Sequence, residues 1–238
     1  MKYLDLTFDS AAHNLALDEA LLDECEENGQ GEILRIWEPL QYFIVLGYSR
    51  KLNLEVHEET CLKNNIPIFR RASGGGTVLQ GPGCFNYSLV LKIKKPLHNL
   101  METNRYILNQ HKSALMPLLD HQEISMKGTS DLALGNLKFS GNAQRRKRNF
   151  LLYHGTFLLK FNFNLMEQVL QIPGHQPTYR KNRSHSDFLV NLNLPAEKIK
   201  RALVQCWKAG SKSDQLPQER TEELVKKRYS RDEWNKKF

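Results

Sequence analysis

Arg70-Arg71-Ala72-Ser73-Gly74-Gly75-Gly76-Thr77-Val78-Leu79 is the stretch that decides the fold, and it runs on through Gln80-Gly81-Pro82-Gly83-Cys84 into Phe85-Asn86-Tyr87-Ser88-Leu89. Three consecutive glycines suit neither a helix nor a strand interior, because each loses more backbone freedom on folding than other residues. What they offer is close approach of main-chain N–H groups to a ligand, with no Cβ in the way. Apolar runs fit for strands flank them at residues 66–69 and 85–93. The glycines therefore read as a tight loop between strands with two guanidiniums at its entrance. Amides and arginines together make a site for an anion such as a carboxylate or phosphate. Successive strand residues point to opposite faces, so Arg71 with Ser73 is expected at the ligand and Arg70 behind it.

The 238 residues are enough for a sizeable core, as one large domain or one domain with an appendage. Composition is that of a water-soluble chain, 40% hydrophobic and 25% charged. No apolar run approaches the ~20 residues of a membrane span. The beginning, with Asp5 among its first residues, does not read as a secretory leader. Cys25, Cys61, Cys84 and Cys206 are scattered without a Cys-x-x-Cys pair. That spacing excludes a zinc site or disulfide scaffold and implies a reducing cytoplasm. The net charge of +8 reads either as a solvated surface or as a call for a negative partner, nucleic acid or an acidic protein surface.

Periodicity predicts a strand at residues 2–6 and a helix over 12–27, capped by Ser10, with Leu17, Leu21 and Cys25 on one face. Strands follow at 33–37 and 42–46, joined by Glu38-Pro39-Leu40, then a short helix over 54–63. A packing helix over 102–119 carries Ile107, Leu108, His111 and Leu115 in one stripe, which makes His111 a core residue. Short strands at 123–126 and 130–134 lead through the turn Gly135-Asn136 into the strand that holds Lys138. Residues 144–149 read as a loop before a long strand at 150–161, and a helix surrounds Ile199 to Cys206. A polar linker over 210–218 separates a main domain, residues 1–212, from a basic, helical tail, residues 213–238.

Three ordered motifs resemble the lipoate–protein ligase family, relatives of the biotin ligases: the Arg-Arg-x-Ser-Gly-Gly-Gly-Thr loop, Lys138 before Ser140-Gly141-Asn142-Ala143, and His154-Gly155-Thr156-Phe157-Leu158-Leu159. The resemblance covers about residues 14–192. It implies an α/β (α+β) catalytic domain with a mixed, largely antiparallel sheet and packing helices. It also implies attachment of lipoate, or octanoate, to an acceptor lysine through an acyl-adenylate made from ATP. A carboxylate is a poor electrophile, so activation needs two anions held together and the charge developing on the carbonyl stabilised. An ammonium suits that task. By resemblance Lys138 is the catalytic lysine, and Arg71, Ser73, Gly74, Gly75, Gly76, Thr77, Gln80, Gly141, Asn142, Ala143 and His154 bind the acyl group or adenylate. Asp131 stands where the family has an acid and is a candidate for Mg²⁺. Asn14 and Glu19 match a family helix motif, with capping or a solvated face the stronger reading, and Trp37 reads as core.

The sequence departs from the pattern in two places. Gln80-Gly81-Pro82-Gly83-Cys84 stands where the family has His-Asp-x-Gly-Asn, and the smaller C-terminal domain of the ligases has no counterpart here. A separate accessory subunit, or a simpler acyl transfer, would account for the second. An octanoyl- or lipoyl-transferase uses a cysteine thioester, for which Cys84 is the candidate nucleophile, although no cysteine lies between Ser125 and Gln144. The run Arg145-Arg146-Lys147-Arg148 is expected to meet an acidic lipoyl-acceptor domain or a glycine-cleavage H-type protein. Nucleic-acid binding is the weaker reading, because the basic runs lack interleaved aromatics. Residues 173–192 read as a solvated connection with no assigned role.

Overall fold

The computed structural model describes residues 1–29, 31–212 and 216–238, so part of the expected linker, residues 213–215, lies outside the described residues. In chain order the elements are β1 (Lys2–Asp5), α1 (Ala11–Asn28), β2 (Ile33–Trp37), β3 (Phe43–Leu46), α2 (Leu52–Glu55), α3 (Glu58–Lys63), β4 (Ile68–Arg70), β5 (Val78–Gln80) and β6 (Cys84–Lys92). There follow α4 (Leu100–Leu115), β7 (Ile124–Lys127), β8 (Asp131–Leu134), β9 (Leu137–Arg146), β10 (Phe150–Leu158), α5 (Phe163–Val169), α6 (His185–Phe188), α7 (Ala196–Cys206), β11 (Ser211–Lys212), α8 (Gln218–Leu224) and α9 (Asp232–Asn235). The large sheet runs β11-β1-β2-β6-β10-β9-β8-β7, and a small sheet runs β4-β3-β5. In the large sheet β1 pairs parallel with β2 and β11, and the other pairs are antiparallel. The mixed, largely antiparallel α/β architecture expected from the sequence is the one observed.

The side-chain period of two sorts the central strands. Leu34 and Ile36, Phe85, Tyr87 and Leu89, and Leu151, Tyr153 and Phe157 share one face and form the main core with α4 and α7. On the other face α1 packs Leu17, Leu21 and Leu22 over Ile33, Val90 and Leu152 at one end. At the opposite end the small sheet packs Ile44 and Leu79 over Cys84 and Leu158. Between these two apolar ends the same face is polar, and that gap is the site.

Helix α1 starts at Ser10, whose Oγ accepts from His13 N, and stops at Gly29, with φ +63°, whose N–H donates to Cys25 O. It buries three acids, Asp18, Glu19 and Asp23. Each has cationic partners: Arg35 donates to Asp18, Arg228 and Tyr229 donate to Glu19, and Lys147 and Arg220 pair with Asp23. The Asn14 side chain bonds Phe8, Ser10 and Arg35. Asn14 and Glu19 thus hold structure, but as buried hydrogen-bonding partners rather than on the solvated face expected of them.

The turn after β2 carries the chain from the large sheet into the small one. Three expectations change. The glycine loop joins β4 to β5, a strand the pattern did not show, because three residues are too few for a visible alternation. Strand β9 runs on to Arg146, so Arg145 and Arg146 lie in a strand rather than a loop. Arg145 donates to Ala72 O at 2.7 Å, Arg146 to Leu97 O at 2.6 Å, and Lys147 pairs with Asp23 at 2.5 Å, which leaves Arg148 as the exposed member of the run. Finally, residues 216–238 pack against the main body: Leu224 and Tyr229 are buried beside Ala12, Trp37 and Phe43.

Candidate active site

Cross-strand register builds the cavity wall in two rows. Trp37, Asn86, Thr156, Gly141 and Asp131 are successive partners across β2, β6, β10, β9 and β8. One step along, Arg35, Ser88, His154 and Ala143 form the second row. With the glycine loop opposite, they enclose a cavity of about 380 Å³. Leu15, Val45, Leu79 and Leu158 supply its apolar lining, which suits an acyl chain.

Lys138 reaches this cavity because β9 is irregular. Ser140 pairs with Leu132 and Lys138 with Ala133, which leaves Phe139 as an extra residue on β9. Regular alternation would put Lys138, three residues from Gly141, on the other face; the bulge re-aims it while Phe139 enters the core. Lys138 Nζ then lies 2.7 Å from Asp131 Oδ1, and Tyr179 donates to Asp131 Oδ2 at 2.8 Å. Gly141 makes room for that lysine, since a Cβ there would meet Lys138 Nζ at 2.8 Å.

The glycine loop is folded around Arg71. That guanidinium donates from Nη2 to Gly74 O and Gly76 O, each at 2.7 Å, and from Nε to Ser73 Oγ at 3.1 Å. Burial, with Arg50 nearby, pulls its pKa down to about 10, so it stays charged at neutral pH. Because the carbonyls turn toward Arg71, the amides of Gly75 and Thr77 turn away from it. Among the described residues the amides of Gly74, Gly75, Gly76 and Thr77 find no backbone acceptor. Gly75, at φ +94°, is the one glycine of the three whose conformation excludes a side chain, and a Cβ there would also meet Arg71 Nη2 at 2.8 Å. A Cβ on Gly74 or Gly76 would meet nothing within 4 Å. Arg70 faces the other way, donating to the carbonyls of Gly47, Tyr48 and Arg50.

Most polar groups of the rows bond one another, while Trp37 Nε1 and Arg35 Nε find no partner among the described residues. Gln80 Nε2 donates to Thr156 Oγ1 at 2.8 Å, Thr156 Oγ1 to Asn86 Oδ1 at 2.5 Å, and Asn86 Nδ2 back to Gln80 Oε1 at 2.9 Å. His154 Nε2 meets Ser73 Oγ at 2.6 Å, and its Nδ1 lies 3.7 Å from Asp18 Oδ2. Burial favours the neutral form of Asp18, but Arg35, His154 and Ser88 outweigh it and hold the carboxyl below its ordinary range. Asn142 accepts from Tyr87 Oη across Gly155, where a Cβ would stand 1.7 Å from Asn142 Oδ1.

Cys84 does not join them. It is 1% exposed within the apolar cluster below the cavity, and burial pushes its thiol up to about 12. None of the four cysteines lines the cavity. Residues 173–192, expected to be a solvated connection, instead form a wall: Pro173, His175, Pro177, Arg180, His185 and Phe188 line it. Arg180 is 5% exposed and its Nη2 has no partner among the described residues. The density of arginine and histidine in that segment was the available signal. The polar pairs Asn86/Ser88 and His154/Thr156, each at i and i+2 within apolar strands, were the signal for the rows.

Residues 10–208 match the model of the lipoyl protein ligase A/B catalytic domain. The chain belongs to this family. Among curated members it is 29% identical to the "Probable lipoate-protein ligase A" of Mycoplasma pneumoniae, over 76% of this chain and 54% of that protein. It is 27% identical to the octanoyltransferase LipM of Carboxydothermus hydrogenoformans, over 100% of this chain and 98% of that protein. The chain thus spans about half the length of the Mycoplasma ligases it matches. The fold is shared with the bi-partite lipoate protein ligase of Thermoplasma acidophilum, described with its E2 lipoyl domain: TM-score 0.84, 21% identity, 99% of this chain and 95% of that one. A lipoate-protein ligase A bound with ATP superposes with TM-score 0.83 at 21% identity over 99% of each chain.

Proposed function

We propose that this family member is an ATP-dependent lipoate–protein ligase, joining lipoate, or octanoate, to the lysine of an acceptor domain through an acyl-adenylate. The observation that carries the reading is one cavity bounded by the unpaired amides of the glycine loop on one side and by the re-aimed Lys138 on the other. The acyl carboxylate attacks the α-phosphate of ATP, a P–O bond forms, and pyrophosphate leaves. The acceptor amine then attacks the acyl carbon, the amide forms, and AMP leaves with the bonding pair. Lys138 is the catalytic residue in this scheme, placed to contact both carboxyl and phosphate oxygens. The loop amides hold the oxygens, Arg71 shapes the loop, and Arg180 adds a second cation with an unused donor. Gln80, Thr156, His154, Asn142 and Ala143 bound the acyl chamber, and Ser73 holds His154 and Arg71 from behind.

Asp131 is the acid beside Lys138, and its two oxygens already hold an ammonium and a phenol. Asp131 is assigned to orient Lys138, and with lone pairs left on both oxygens it would also take a Mg²⁺ that enters bridging the phosphates of ATP. Among the described residues no group of three or more His, Cys, Asp or Glu side chains gathers as a metal site.

LipM relatives match over the full chain, which favours a cysteine-based transferase as the second reading. The position of Cys84 speaks against it. The acceptor is an acidic lipoyl domain or a glycine-cleavage H-type protein. A separate accessory subunit is the further partner proposed, by likeness to the bi-partite ligase of Thermoplasma acidophilum. The reaction belongs in the cytoplasm, and no helix among the described residues is long and apolar enough to cross a membrane.

The test is lipoate-dependent exchange of pyrophosphate into ATP, run beside mass spectrometry of a lipoyl domain. Exchange that disappears in Lys138→Ala supports ligation. Acyl transfer from a carrier protein without ATP, lost in Cys84→Ala, refutes it.

A further inference from the structure

Residues 234–238, at the end of the basic tail, form the outermost of three layers around the glycine loop. The innermost layer is the loop itself. Around it lies the turn after β3: Tyr48 N donates to Ser73 O at 2.9 Å, and Arg50 Nε donates to Gly75 O at 3.0 Å. That turn sits so close that a Cβ on Gly47 would stand 2.2 Å from Gly75 O. Around the turn lies the tail. Trp234 Nε1 donates to Arg70 O at 2.7 Å, and Arg70 N donates to Asn235 Oδ1 at 3.0 Å, so the tail caps the outer edge of β4 where the loop begins. The Arg70 guanidinium ties Trp234 O to the carbonyls of Gly47, Tyr48 and Arg50. Leu52 N donates to Phe238 O, and Lys237 Nζ stands 3.7 Å from the centre of the Tyr48 ring and 4.0 Å from that of Trp234.

A second route reaches the loop from the same tail. Arg228 and Tyr229 donate to Glu19, whose Oε1 lies 3.9 Å from Arg145 Nη2, and Arg145 Nη1 donates to Ala72 O. Both ends of the stretch 70–72 are therefore fixed by groups that the tail positions. A loop of three glycines has large conformational freedom to lose, and ordering it before the ligand arrives lowers the cost of binding.

We infer that Trp234 and Asn235 are positioning residues of the ligand site, holding the glycine loop through Arg70 and the Tyr48–Arg50 turn. The inference rests on the reading of that loop as the ligand's cradle. The tail is on this view part of the binding apparatus rather than an appendage to residues 1–212.

The experiment compares the full chain with Trp234→Phe, which keeps the ring and removes the indole donor, and with Asn235→Ala. Amide hydrogen exchange is followed at Tyr48, bonded to Ser73 O, and at Leu108 in α4, remote from the loop. Exchange at Tyr48 should accelerate at least about tenfold while Leu108 is unchanged, the mark of a local opening. In pyrophosphate exchange the KM for lipoate should rise about tenfold with kcat within about twofold, the pattern of lost uniform binding. Unchanged protection at Tyr48, or equal acceleration at both amides, overturns the inference. If either variant fails to fold, Lys237→Ala, at a side chain held only by ring faces, gives the same two readouts. Local loosening in variants of a wild type that shows no lipoate-dependent exchange would uphold the tail's hold on the loop, and acyl transfer by that wild type from a carrier protein without ATP would refute the ligase reading instead.

Discussion

Lys138 and Asp131 face each other across strands β9 and β8, 2.7 Å apart, only because Phe139 is bulged out of register between Lys138 and Ser140. The pairing fixes an ammonium on the cavity wall before any ligand enters. Lys138→Ala should lower pyrophosphate exchange by roughly 10²–10³-fold, the usual effect of removing one preorganised donor. Lys138→Arg should not restore it, because a planar fork cannot occupy the place of a compact ammonium over Gly141. Asp131→Asn should retain more activity than Lys138→Ala, since it loosens the lysine without removing it. Steady-state exchange rates of the three variants decide the order.

The three glycines should not be equivalent. Gly75→Ala places a side chain at φ +94° and against Arg71, so it should lower stability by about 1–3 kcal/mol. Gly74→Ala and Gly76→Ala meet open space in the protein and should leave its stability within about 0.5 kcal/mol. Either should still weaken ligand binding where the added methyl stands between amide and oxyanion. Denaturant unfolding separates the first effect, and lipoate titration in the presence of ATP the second.

Much of this was legible in the sequence because the signals were local. The glycine loop, the turn at Gly135 and the alternation of β10 are written within a few residues each. The aim of Lys138 was legible only through the family motif, since regular alternation places it on the core face and nothing local announces the bulge. Likewise, the basic run at Arg145 looks like a free surface until α1 brings Glu19 and Asp23 to it. Those partners lie more than a hundred residues away. Arg180 was passed over because three-dimensional closure, not composition, turns residues 173–192 into a wall.

Cys84 should be dispensable. Its thiol is buried among Leu79, Leu158 and Phe161 and is pushed up to about 12, where almost no thiolate exists at neutral pH. Cys84→Ala should keep ATP-dependent lipoylation of an acceptor domain within about threefold and cost roughly 1 kcal/mol of stability through the lost sulfur contact. Loss of acyl transfer with stability unchanged would reverse the assignment and point to the transferase.

His111 should make the fold sensitive to mild acid. It is fully buried between the rings of Tyr87, Phe157 and Trp207, accepts from Trp207 Nε1 at 3.0 Å, and finds no partner for Nδ1 among the described residues. Burial disfavours its charged form and drives its pKa down to about 3. In the unfolded chain the ring titrates near ~6.5. Above that pH both states are neutral and no penalty arises. Below it the unfolded chain takes up a proton that the native protein refuses, so stability falls by about 1.4 kcal/mol per pH unit until the native ring titrates. His185, held down to about 4, acts in the same direction over a narrower window. His111→Gln keeps an acceptor for Trp207 and removes the titration, so its stability should fall less steeply than wild type between pH 6 and pH 4. Urea unfolding across that range, with equal slopes for the two proteins, would show that His111 does not stay neutral in the fold.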